Sequence, residues 1–413
     1  MLYLKIKVFL GFVSLSLLFT IIYLNCQDND FSLPVINTQK TKSSSKVISV
    51  KNTKKINNVT MKGLWITYME LDMSDTDYSY SAFKDKFDKI VKNAKSFGFN
   101  TLIVQVRPFS DALYNSKYFP YSHIISGEQG KNPGYDPLKY MCSKCHKTGL
   151  AIHAWINPYR IATNNTPNYL SNDNPYIKNN SLGKKLSSGI YYKPSIKKVQ
   201  DLIVDGVKEI VTNYDVDGIQ FDDYFYPTKS KSFDKEEYNS YTKAQNNKCL
   251  SLSEWRKNNV NSLIKKTYKV IHNINDNVLF GISPQGNISN NNEIYADVKT
   301  WCSKKGYIDY ICPQLYYSLD NPALAYEDAI KQWSKIRTNN ELLIYSGLAG
   351  YKAGTKDADS GTWSDSTDIL KQEYDIAIES KYNGIMLYSY NSLKEDTSKK
   401  EINNLKSAIK SKN

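Results

Sequence analysis

Asp217-Gly218-Ile219-Gln220-Phe221-Asp222-Asp223-Tyr224-Phe225-Tyr226-Pro227 is an apolar run that ends on two adjacent carboxylates, then aromatics, then a proline. Side chains alternate faces along a strand. Ile219, Phe221 and Asp223 are therefore expected on one face, and Gln220 and Asp222 on the other. A lone Asp at a strand end usually opens a loop or caps a helix. Two acids in aromatic company at a strand tip suit proton transfer, with Asp223 as the acid/base group and Asp222 orienting its neighbours.

Outward from this stretch the chain alternates between two periods. Short runs rich in strand formers begin at Met61 (MKGLWITY), Asn100 (NTLIVQVR), Leu150 (LAIHAWIN), Asp217, Val278 (VLFGISP), Asp309 (DYICPQLYY), Leu342 (LLIYSGL) and Asn383 (NGIMLYSY). Between them lie segments with helical spacing, including 81–98, 137–149, 195–214, 251–274, 326–337 and 364–381, and the series closes on 399–410. Ser251 with Glu254 three residues on is a capping-box pattern. Strands alternating with helices argue for βαβ units and a parallel sheet. Eight such units in series are the count of a closed (β/α)8 TIM barrel, an α/β fold of about 200 to over 400 residues. An open doubly wound sheet is the rival, but no glycine-rich turn follows the first strand.

In such barrels the site forms at the C-terminal ends of the strands. Those ends carry Gln105 and Arg107, with Asp111 just beyond; His153, Asn157 and Arg160; Asp222, Asp223 and Tyr224; Gln314 and Tyr316; and Tyr388. Amides, Arg and Asp satisfy hydroxyls, and Tyr lies well against a sugar face. Glycoside hydrolysis ordinarily uses two carboxyl groups. Asp222 and Asp223 lie on opposite strand faces, so the partner of Asp223 is expected from another strand end. Asp111 is the first choice, ahead of Glu70 and Glu128. His153, inside a strand, also reads as an ordinary interior residue.

Composition narrows the remaining classes. The net charge of +13 suits an anionic neighbourhood. The lysines are spread rather than clustered with stacking aromatics, so no nucleic-acid module is signalled. The four histidines form no H-E-x-x-H pattern. Cys142 and Cys145 form a lone C-x-x-C, short of a zinc site. No G-x-S-x-G elbow occurs. Neither metal nor cofactor is expected.

At the N-terminus, Lys5 and Lys7 precede an apolar run from Val8 to Leu24 and then Cys26. This reads as an export segment over residues 1–26. A lipidated Cys26, an uncleaved membrane anchor and plain secretion all stand open, because Tyr23-Leu24-Asn25 is a poor lipoprotein cleavage site. Residues 27–59, rich in Lys, Ser, Thr and Asn, read as a flexible linker, and 60–413 as the barrel domain.

Several stretches are unusual enough to carry a resemblance. They are Lys62-Gly63-Leu64-Trp65-Ile66-Thr67, Gln105-Val106-Arg107-Pro108 with Asp111-Ala112-Leu113-Tyr114, Asn132 to Leu138, His153 to Arg160, Asp217 to Tyr226, and Ile311 to Tyr316. Together they resemble the glycosyl-hydrolase-like 10 family of bacterial envelope proteins. The resemblance implies a (β/α)8 barrel with glycosidase chemistry and, in some members, cleavage of peptidoglycan glycan strands. It adds weight to Arg107, Asp111, Asn157, Arg160, Asp222, Asp223 and Gln314. The expectation is thus an extracytoplasmic, membrane-anchored or secreted glycosidase acting on a wall polysaccharide. Its rivals are a glycan-binding barrel without catalysis and a hydrolase of capsule or exopolysaccharide.

Overall fold

The computed structural model describes residues 60–411, apart from 164–165, 246–247 and 357. The export segment, Cys26 and the linker over 27–59 lie outside the described residues. The strands are β1 (Met61–Ile66), β2 (Thr101–Arg107), β3 (Ala151–Ile156), β4 (Arg160–Thr163), β5 (Gly183–Leu186), β6 (Gly189–Tyr192), β7 (Gly218–Phe221), β8 (Leu279–Ile282), β9 (Tyr310–Ile311), β10 (Leu343–Ile344), β11 (Ser346–Ala349) and β12 (Gly384–Tyr388).

Nine of them form one parallel sheet in the order β10-β9-β8-β7-β3-β2-β1-β12-β11. β10 and β11 are two halves of one stave, separated by Tyr345. β10 pairs with β9, and β11 with β12. The Tyr345 N–H donates to Ile311 O at 2.9 Å, and Gly347 N–H to Pro313 O at 3.0 Å. The sheet therefore closes through this broken stave into a barrel of eight, in the order the sequence alternation required.

Caps fix the helices around it. Ser79 and Gly98 (φ 94°) bound the helix Tyr80–Phe97. Asp136 caps the helix Pro137–Lys147, and the Ser251–Glu254 box forms as expected at the start of Leu252–Ile274.

The sheet has two apolar sides. Ile219 and Phe221 point outward and pack with Val207 and Ile210 of the helix Lys197–Asn213 in the main core. Burying a side chain such as Phe221 is worth about 1.5–3 kcal/mol. Inside the barrel, Trp65, Ile103, Trp155, Tyr310, Tyr345 and Met386 form a second cluster. Large interior groups sit opposite glycines. A Cβ on Gly218 would lie 2.6 Å from His153 Nδ1, and one on Gly281 would lie 2.1 Å from the Tyr310 ring.

The structure departs from the sequence reading in four places. β9 is only two residues long, since Pro313 has no N–H to continue a ladder. The helix expected over 364–381 begins at Ile369. The long connection after β3 forms its own antiparallel sheet, β4-β6-β5, and a helix, Lys235–Ala244, follows β7. Both are βα insertions on the side of the barrel where the strands end.

Candidate active site

β7 stops at Phe221, and this decides how the two acids are presented. Gln220 faces the barrel interior, where its Oε1 accepts from Tyr310 Oη at 3.1 Å. Asp222 continues that inward face and is 3% exposed. Its Oδ2 accepts from Trp155 Nε1 at 3.2 Å and from Asn157 Nδ2, and its Oδ1 accepts from Tyr224 N–H at 3.2 Å. Alternation alone would turn Asp223 outward with Phe221. The chain has left strand geometry by then, and Asp223 Oδ1 accepts from Gln314 Nε2 at 3.0 Å instead. The expected split of the pair onto opposite faces does not hold, and both carboxyls serve one mouth.

Burial and the charge of Asp223 push the Asp222 carboxyl up to about 7. Burial also raises Asp223, against the hydrogen bonds from Gln314 and Gln285 and the charge of Arg160. Two close carboxyls out of water titrate as a unit. Near neutral pH the pair therefore keeps a proton on one member, which is the condition for a general acid.

Groups at the ends of β2 and β3, backed by the turn after β1, hold Asp222 in place. Tyr68 N–H donates to Gln105 Oε1 at 3.0 Å, and Gln105 Nε2 donates to Asn157 Oδ1 at 2.6 Å. With its oxygen engaged, Asn157 can only aim its NH2 at Asp222. Gln105 thus acts through Asn157, which is fully buried.

Two groups of aromatic rings stand at the mouth. In one, the Arg160 guanidinium lies 5.4 Å from the Tyr224 ring and 4.9 Å from the Phe109 ring, while its Nε donates to Pro108 O at 2.7 Å. In the other, Tyr316, Tyr351 and Tyr388 stand mutually within 5.9–6.0 Å. Tyr224 and Tyr351 are 54% and 46% exposed, so their faces are open to a ligand. Tyr351 and Phe109 escaped the sequence reading. Tyr351 lies two residues beyond β11, whereas Tyr345, at the break in that stave, is buried in the interior.

Other expected residues sit elsewhere. Asp111 is fully buried, and its Oδ2 accepts from Gln129 Nε2 at 3.0 Å and lies 3.5 Å from His123 Nδ1. Its Oδ1 is buried without a hydrogen-bond partner, and among the described residues no hydrogen bond joins it to Asp222 or Asp223, although the charges of both Asp111 and Asp222 reach Arg107. Arg107, 1% exposed, lies over the Phe119 ring at 4.5 Å and donates to Pro158 O at 3.5 Å. It braces the β3–β4 turn, with its Nη1 buried and unpartnered and the charges of Asp111 and Asp222 acting on it. Glu70 is spent on structure: Oε2 accepts from Thr67 N–H, and Oε1 from Ser389 Oγ and Asn391 N–H, each at 2.6 Å.

His153 is also displaced from the mouth. Its Nδ1 is 3.0 Å from Tyr310 Oη, and burial drops its pKa to about 4. It lines a cavity of about 940 Å³ at the other end of the barrel, with Met61, Ala151, Asp217, Leu279 and Asp309. The strands begin at that end. Among the described residues no three His, Cys, Asp or Glu side chains gather as a metal site.

Comparison with known proteins agrees with this architecture. Residues 60–365 match the family model described as glycosyl hydrolase-like 10. The chain is 36% identical over 334 residues to glycosyl hydrolase YngK of Bacillus subtilis, covering 76% of this chain and 64% of YngK. It is 33% identical over 357 residues to glycosyl hydrolase DigH of Escherichia coli, covering 76% of this chain and 79% of DigH. Among solved structures, the glycoside hydrolase domain of PgaB (BpsB) from Bordetella bronchiseptica superposes with a TM-score of 0.56 at 10% identity, over 84% of this chain and 98% of that one. An alpha-L-fucosidase from Paenibacillus thiaminolyticus gives 0.52 at 11% identity, over 79% and 46%. These two share the fold. The chain belongs to the glycosyl hydrolase-like 10 family.

Proposed function

We propose that this member of the glycosyl hydrolase-like 10 family is an extracytoplasmic glycoside hydrolase whose substrate is a cell-wall glycan, the glycan strands of peptidoglycan. One observation carries the reading: Asp222 and Asp223 converge at the barrel mouth, where burial raises both carboxyls, in the company of the exposed rings of Tyr224 and Tyr351. A protonated carboxyl beside a glycosidic oxygen supplies general acid catalysis, worth roughly 10²- to 10⁴-fold. The open faces of Tyr224 and Tyr351 suit stacking on consecutive sugars. The names of YngK and DigH support the hydrolase class.

The location belongs to the same proposal. Lys5 and Lys7 ahead of the apolar run 8–24, with Cys26 after it, favour export and attachment at the membrane. Among the described residues no helix is long and apolar enough to cross a membrane, so attachment rests on the N-terminal run or on a lipid at Cys26. Mass spectrometry of the mature N-terminus decides between them. The function is tested by incubating the purified full chain with peptide-free peptidoglycan strands, a capsular polysaccharide and an exopolysaccharide, and assaying new reducing ends. Release from the wall strands alone supports the proposal, release only from another polymer moves the substrate, and binding without release leaves a glycan-binding barrel.

A further inference from the structure

The described mouth poses a chemical problem. The common two-carboxyl mechanisms need acids on opposite sides of the sugar, about 5–5.5 Å apart for retention or about 6.5–9.5 Å for inversion. Asp222 and Asp223 are chain neighbours, with Cα atoms about 3.8 Å apart, and both rise from the end of one strand. A sugar cannot sit between them. The expected partners are not open to a sugar: Asp111 is fully enclosed, its Oδ2 beside Gln129 and His123 and its Oδ1 buried without a partner, and Glu70 is tied to Thr67, Ser389 and Asn391. Asp359, beyond Tyr351, is held by Lys352 Nζ at 2.9 Å and Trp363 Nε1 at 2.7 Å.

We infer that the nucleophile is supplied by the substrate, and that the site is built for a 2-acetamido sugar whose carbonyl oxygen attacks its own anomeric carbon. This rests on the hydrolase reading and names the substrate class. Asp222 is placed to hold the acetamido group. A carboxylate offers about four acceptor positions. Trp155, Asn157 and the Tyr224 amide fill three, so Oδ1 retains one for the acetamido N–H. Beside it, Trp155 belongs to an apolar floor with Trp65, and Tyr388 packs against it, matching a methyl group.

The steps balance without a co-reactant. The acetamido N–H favours the ionised form of Asp222 and so leaves the proton the pair shares on Asp223, which gives it to the leaving oxygen as the C1–O bond breaks and the acetyl oxygen bonds to C1. The acetamido N–H proton passes to Asp222, which leaves a neutral oxazoline. Water then adds to C1 and gives a proton to Asp223; the C1–acetyl oxygen bond opens, and nitrogen recovers its proton from Asp222. The anomeric configuration is retained. Gln314 positions Asp223 for both proton transfers.

The test uses the full chain, peptide-free wall strands, the same strands after N-deacetylation, and the thiazoline of N-acetylglucosamine. The expected results are a retained anomer by NMR, competitive inhibition by the thiazoline, and cleavage of deacetylated strands slower by more than roughly 100-fold. Asp222→Asn should lower kcat far more than it raises KM. An inverted product, or equal cleavage of both strands without thiazoline inhibition, overturns the inference and leaves the hydrolase reading standing. No reducing ends from either strand overturns the inference together with the wall-glycan substrate.

Discussion

The Gln314 amide donates to Asp223 Oδ1 and to Ser283 O, both at 3.0 Å. It thereby fixes the acid to the end of β8 and favours its ionised form. Removing it has two separable effects. Gln314→Ala should lower kcat about tenfold through lost positioning. It should also move the alkaline limb of the pH–rate profile upward, because a carboxylate that loses a donor becomes a weaker acid. In the wild type that limb should lie near the value of about 7 to which Asp222 is pushed, and it belongs to the coupled pair rather than to either residue. A profile that falls in rate without moving would assign Gln314 to ligand contact instead. Gln314 was legible in the sequence because it sits at a strand end. The Tyr68–Gln105–Asn157–Asp222 relay was not, since it depends on which strands are neighbours in space. Asp223 was misplaced for a local reason: alternation was extended past Phe221, where the strand has already ended.

At the scale of elements, the loop after β7 is pinned by one arginine. Arg256, on the helix Leu252–Ile274, is fully buried and donates to Asp234 Oδ2 at 3.0 Å, Ser230 O at 2.7 Å, Lys229 O at 3.2 Å and Tyr295 Oη at 2.9 Å. It also lies 5.1 Å from the rings of Tyr226 and Tyr295. Truncation leaves the buried Asp234 charge unpaired. Arg256→Ala should cost roughly 3–5 kcal/mol in urea unfolding, and it should loosen the segment that carries Tyr224.

The opposite end of the barrel uses a device twice. Asp217 Oδ2 accepts from Ile152 N–H at 2.8 Å and lies 2.9 Å from His146 Nε2. Asp309 Oδ2 accepts from Phe280 N–H at 2.8 Å and lies 3.0 Å from His272 Nε2. Each Asp precedes a strand, bonds the second residue of the neighbouring strand, and meets a histidine from the last turn of a helix. Burial lowers the His146 pKa, but Asp217 and Asp215 outweigh it and leave it above 6.5. Its stabilisation is therefore complete below the unfolded value of about 6.5 and is lost as pH rises through the folded one. His146→Asn should destabilise more at about pH 6 than at about pH 8.5, and an equal loss at both would remove the ionic clamp. The helices were legible from period and caps. The clamps were not, because His146 and Asp217 are far apart in the chain.

For the whole molecule, eight staves in order were readable because each strand is a short apolar run between helical periods. Closure through a stave broken at Tyr345 was not, since no residue signals where a sheet meets itself. The antiparallel β4-β6-β5 sheet lacked a long apolar alternation to mark it. The charge of +13 also acts at this scale. The proposed attraction to an anionic wall should weaken as salt shortens the screening length from about 10 Å at 0.1 M to about 3 Å at 1 M. Binding of the full chain to purified wall should therefore fall steeply across that range, whereas binding insensitive to salt would make the surface charge incidental.

The central claim is that a carboxyl at the end of β7 protonates a glycosidic oxygen. Its most direct test compares reducing-end release from peptide-free wall strands by the wild-type chain and by Asp223→Asn, with thermal unfolding followed in parallel. The account predicts a loss of roughly 10²- to 10⁴-fold in kcat, with an unfolding temperature at pH 8 no lower than wild type because a like charge has been removed from the pair. Wild-type release by a folded Asp223→Asn variant would contradict it.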